Sequence, residues 1–73
     1  MNAVIADYRR MFGAKVNIHG QDVTPKYAVL NPAGGHVSAT TMTEAKHAGQ
    51  MMIEAGVATG VVLDAGVEDV TVH

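Results

Sequence analysis

Residues 41–56, TMTEAKHAGQMMIEAG, carry complete helix punctuation, and the fold is read outward from them. Thr41 is placed to cap the helix, its hydroxyl accepting from an orphan amide of the first turn. Glu44, three residues on, is placed to reach back to the Thr41 amide as a capping box, and it sets negative charge at the positive end of the helix dipole. Ala45, Ala48, Gly49, Met52 and Ala55 recur at spacings of three and four and form one apolar stripe. Thr43, Lys46, His47, Gln50 and Glu54 take the other side, with Met51 and Ile53 flanking. Gly56 stands where a left-handed residue ends a helix. A stripe this rich in Ala and Gly lets the helix axis approach its neighbour closely, and that neighbour is expected to be a sheet.

Strand signals lie on both sides of the helix. Val16 and Ile18 alternate with Lys15 and Asn17 in a half-buried strand over 14–18. His19 to Pro25 reads as a loop, and Lys26 to Leu30 as a strand whose start Pro25 limits. Asn31-Pro32-Ala33-Gly34-Gly35 is turn chemistry, so His36 to Ala39 returns as the partner strand. After the helix, 59–63 and 67–72 frame the loop Asp64-Ala65-Gly66 and read as a hairpin. Residues 3–12 admit two readings. Asn2 caps a short helix ended by Gly13, or Val4, Ala6 and Tyr8 alternate in a strand. The whole is one domain, residues 1–73, of α+β class: a small antiparallel sheet with one central α-helix packed on one face and a short N-terminal helix as an option.

Composition narrows the function classes. Of 73 residues 48% are hydrophobic, but eleven are Ala and eleven Val, with one Phe and no Trp. The core is therefore thin, and a chain of this size buries only about 60% of its unfolded surface. There is no Cys, so disulfide and thiolate chemistry are excluded. That suits a reducing cytoplasm. The apolar N-terminal run breaks at Asp7, too short for a signal peptide core or a membrane span. Residues 1–40 carry four cations against two carboxylates, and residues 41–73 one cation against five. The net charge of −2 argues against independent duplex DNA binding, while the asymmetry fits docking on another protein.

No catalytic set is visible. His19, His36, His47 and His73 are widely spaced and build neither a zinc signature nor an i, i+4 pair on the main helix. Glu68 and Asp69 are adjacent on an expected strand and point to opposite faces. The glycines of 31–35 lack the Gly-Lys-Ser/Thr ending of a phosphate loop. No cofactor is expected. The densest group of interface-type residues is Tyr8, Arg9, Arg10 and Met11, in which Arg9 and Arg10 offer forked donors to a partner's carboxylates. Tyr8, Arg9 and Arg10 are the candidate partner-binding residues.

The 73-residue length, the opening MNAVIADYRRMFG and the cysteine-free α+β layout resemble the small RNA-polymerase-binding regulators of host transcription made by lytic phages such as those of Xanthomonas. The resemblance spans the chain without a catalytic or ligand motif. It implies binding to the N-terminal region of the polymerase β′ subunit, displacement of σ, and antitermination in the host cytoplasm. It supplies no binding residue. Two other interaction roles stay open: a phage anti-CRISPR inhibitor of a Cas complex, and a structural or oligomeric phage subunit. Whatever the partner, Thr41→Ala is expected to lower stability by ~1 kcal/mol through loss of the cap. Chemical denaturation reads this as a lower midpoint at constant slope; an unchanged midpoint means that the cap is not formed.

Overall fold

A computed structural model describes residues 1–63 of the chain. Strands β1 (Ala3–Asp7), β4 (Tyr27–Leu30), β5 (His36–Ala39) and β6 (Val61–Leu63) form one sheet in the order β5-β4-β1-β6. Strands β2 (Val16–Ile18) and β3 (Gln21–Val23) pair separately as a second, two-stranded sheet. Helix α1 (Tyr8–Met11) follows β1 directly, and α2 (Met42–Glu54) lies between β5 and β6. The chain is thus α+β with a central helix on one face of the main sheet, as the pattern predicts.

The sheet is mixed rather than wholly antiparallel. β1 runs antiparallel to β4, and β4 to β5, but β6 lies parallel to β1. The reason is α2 itself. A parallel return needs a crossover of a dozen or more residues, and this 13-residue helix with its flanking turns supplies one. It carries the chain from edge strand β5 over the face of β4 and β1 to the far side of β1. The expected hairpin of 59–63 with 67–72 is answered in its first arm only, since 67–72 lies outside the described residues.

The strand reading of 3–12 holds for its first half and a short helix follows it, capped by Asp7 and not by Asn2, whose side chain accepts from the Thr59 hydroxyl. Alternation wins as far as Asp7; there the Asp7 carboxylate accepts from the Arg10 amide at 3.2 Å and turns the chain into α1. Gly13, at φ +66°, ends that turn. The stretch 19–25, read as a loop, contains β3. His19 and Gly20 both adopt positive φ, +52° and +82°, as the two central residues of a type I′ hairpin turn do. The Asn17 side chain accepts from the Gly20 amide at 3.1 Å and holds the turn closed. In the β4–β5 connection the Ala33 amide donates to the Asn31 side chain and the Gly34 amide to the Asn31 carbonyl. Those amides are used within the turn, which is a hairpin and no phosphate cradle.

Helix α2 is bounded largely as expected. The Thr41 hydroxyl accepts from the Glu44 amide at 3.2 Å. The reciprocal arm goes elsewhere: the Glu44 carboxylate accepts from both the amide and the hydroxyl of Thr40, at 3.2 and 3.0 Å. Two bonds at Thr40 replace the single one expected at Thr41. At the other end Gly56, φ +78°, donates to the Ile53 carbonyl and Val57 to that of Met52, the paired bonds of a Schellman motif.

The buried face of α2 is Ala45, Gly49 and Met52; Ala48 is half-buried, and Ala55, at the C-cap, is exposed. Opposite them lie Ala3, Ile5, Tyr27, Val29 and Ala39, which with Ala45, Met52 and Ala58 make the core. Gly49 is the point of closest approach. A Cβ there would sit 2.6 Å from Cγ2 of Val61, nearer than side-chain carbons come. A valine is stiff about χ1, so its methyl does not swing aside freely. Gly49→Ala is therefore expected to lower stability by about 1 kcal/mol, overpacking of roughly 1–3 outweighing the ~1 kcal/mol gained in helix propensity. The penalty should vanish when Gly49→Ala is measured in a Val61→Ala background. Urea denaturation of the four proteins tests the cycle, and a stabilised Gly49→Ala protein contradicts it.

Candidate interaction surface

Helix α1 is one turn long, and its position comes from its neighbours. The Tyr8 amide donates to the Lys26 carbonyl at 3.1 Å, tying the start of the turn to the approach to β4. The Phe12 and Gly13 amides both donate to the Tyr8 carbonyl, at 2.8 and 3.2 Å, and close its end. The strand alternation decides where the side chains go. Ala6, Ala28, Ser38, Leu30 and His36 share the sheet face opposite α2. Ala6 and Ala28 leave room there, and an aromatic group gathers on that side.

That group is Tyr8, Phe12 and His36. The Phe12 and His36 rings stack with centroids 4.1 Å apart and planes 17° from parallel. Tyr8 meets Phe12 at 5.1 Å and His36 at 5.8 Å, tilted in both cases. Ring pairs in this range contribute about 0.5–1.5 kcal/mol each beyond their buried area. Tyr8 is 3% exposed and Phe12 42%, so Tyr8 is the anchor and Phe12 the ring that solvent meets.

Of the three residues singled out as partner-binding, Arg9 and Arg10 lie at the surface and Tyr8 does not. Tyr8 holds the turn from beneath. The exposed apolar side chains beside the arginines are Met11, 49% exposed, and Phe12. Among the described residues neither guanidinium is paired with a carboxylate, and the carboxylate of Asp7 accepts from the Arg10 backbone. Sequence reasoning passed over Phe12 as a surface element and missed its stack on His36. A single helical turn is too short to show periodicity, and the stacking partner is 24 residues downstream.

The remaining histidines are dispersed. His19 sits in the β2–β3 turn, His47 is exposed on α2, and His73 lies outside the described residues. No group of three or more His, Cys, Asp or Glu side chains among the described residues is placed to hold a metal. A shallow groove of about 370 Å³ between α2 and β6 is lined by Lys46, Gln50, Val61 and Leu63. Among the described residues its polar side-chain groups are one ammonium and one amide, with no carboxylate or imidazole for proton transfer. No helix of the described residues is long and apolar enough to cross a membrane.

No family model matches this chain, and comparison with curated proteins and with solved structures likewise finds no match.

The histidine placement has a direct test. The purified protein is expected to bind no zinc, and a chelator should leave its fold intact. Stoichiometric zinc in elemental analysis, with unfolding on chelation, would reverse that assignment.

Proposed function

We propose that this chain is a non-catalytic protein-binding module of the bacterial cytoplasm whose partner is host RNA polymerase. One observation carries the binding role: α1 presents two guanidiniums, unpaired among the described residues, beside the exposed Met11 and Phe12. Arg and large apolar side chains together are the composition of interface centres. The choice of polymerase rests on the resemblance of MNAVIADYRRMFG and the small α+β layout to the phage regulators. On this reading the module occupies a surface of the β′ N-terminal region that σ needs, so σ-dependent initiation is inhibited. Elongating polymerase continues and reads through terminators, because the catalytic centre is untouched. A contact of roughly 800 Å² on its own side is within reach of a chain this small.

Two interaction readings compete. A Cas complex is favoured by the acidic 41–73 half, which would rival nucleic acid for a basic groove. Self-assembly is favoured by β5, an uncharged edge strand whose Val37 is 45% exposed, because edges without charge invite pairing.

Direct titration onto polymerase core and holoenzyme, read by fluorescence anisotropy, tests the proposal. Wild-type protein is expected to bind and to release σ. The Arg9→Ala/Arg10→Ala protein should bind about tenfold or more weakly, with an unchanged circular-dichroism spectrum, charge steering the encounter and apolar contact setting the lifetime. Wild-type protein that binds neither enzyme form removes polymerase as the partner; a double variant that inhibits like wild type removes the arginines.

A further inference from the structure

The α1 surface has a chemistry that selects its occupant independently of which macromolecule supplies it. Arg9 and Arg10 stand at the surface with their guanidiniums unpaired among the described residues, and Lys15 follows within the same exposed stretch. Met11 and Phe12 adjoin them, and the Phe12 ring is held against His36. Phe12 is thus held in place while part of its ring stays open to solvent. Fixing it beforehand lowers the ordering cost of a contact made there. The Asp7 carboxylate at this turn accepts from the Arg10 backbone amide as the cap, and among the described residues no carboxylate pairs with either guanidinium.

We infer that the α1 surface docks an acidic protein segment carrying an aromatic or large aliphatic side chain between its carboxylates, with Arg9 and Arg10 taking the carboxylates and Met11, Phe12 and His36 taking the apolar side chain. The inference rests on the binding role proposed above but not on the identity of the partner. Charge complementarity carries it: the patch is cationic, planar guanidiniums match carboxylates in bidentate geometry, and an apolar platform adjoins them. A basic or uncharged segment would leave both guanidiniums desolvated without a counter-charge, which costs affinity.

The experiment selects random peptides displayed on a surface against the full chain, so that no partner is presupposed. Enriched peptides are expected to carry Asp or Glu flanking Phe, Trp, Leu or Met. Synthesised and titrated, they should shift the backbone amides of residues 9–12 and 36. Binding should weaken about tenfold in the Arg9→Ala/Arg10→Ala protein and by a similar factor in Met11→Ala, and fall with added salt. Met11→Ala serves beside Phe12→Ala because loss of the Phe12 ring also removes its stack on His36. Enrichment of basic or uncharged peptides, shifts elsewhere on the chain, or no enrichment at all would overturn the inference. So would a concentration-dependent dimer that the double arginine variant abolishes, since the occupant would then be a second copy. Polymerase binding with failed selection sinks this inference alone; selected acidic peptides without polymerase binding sink only the choice of polymerase.

Discussion

The approach of α2 to the sheet at Gly49 sets the terms for the rest of the structure. With Val61 Cγ2 lying 2.6 Å from where a Cβ would stand, the helix rests on β6 through its own backbone. A chain with one Phe and eleven Ala fills its interior only if its layers come close together. Ala45 and Gly49 let them do so, and Met52, flexible enough to fill an irregular gap, completes the face. The same contact holds β6 alongside β1, which makes the sheet mixed.

The opposite face solves the same shortage of large side chains by another route. Ala6 and Ala28 are buried there without bulk of their own, and Tyr8 turns back beside them from the end of β1. The fold therefore uses Tyr8 and Phe12 on the side away from the helix, leaving Tyr27 as the aromatic ring beneath α2, and Phe12 stays partly outside. A surface suited to binding arises from how the thin sheet is covered, because the residue that caps α1 and the ring that anchors it also hold Arg9, Arg10 and Met11 outward.

The capped helix was legible because its signals are local: Thr41, Glu44 and Gly56 act on groups a few residues away. Even there the Glu44 carboxylate found Thr40, whose amide and hydroxyl together outbid one amide. The β4–β5 hairpin was legible from Asn31 to Gly35 for the same reason. The parallel pairing of β1 with β6 was not, because it joins strands almost sixty residues apart and no local pattern encodes a neighbour. His19 concealed a turn, since the left-handed conformation is uncommon for a non-glycine residue and the following Gly20 alone reads as loop. At the candidate surface the arginines were visible in the sequence as a pair. Exchange of Tyr8 for Phe12 as the outward ring follows from where β1 ends, which only the Asp7 cap decides.

The seam between β1 and β6 orders events in time. The Ala3 amide donates to Gly60, the Thr59 amide to Met1, and the Thr59 hydroxyl to the Asn2 side chain at 2.7 Å. During synthesis β1 emerges well before β6, and it gains this second neighbour only after Leu63 has emerged. Until then one edge of a central strand, with Ile5 and Val4 on it, has no mate, and contacts of such long sequence separation form slowly. A later segment thus closes an earlier one, and until it arrives that strand edge stands open to other chains.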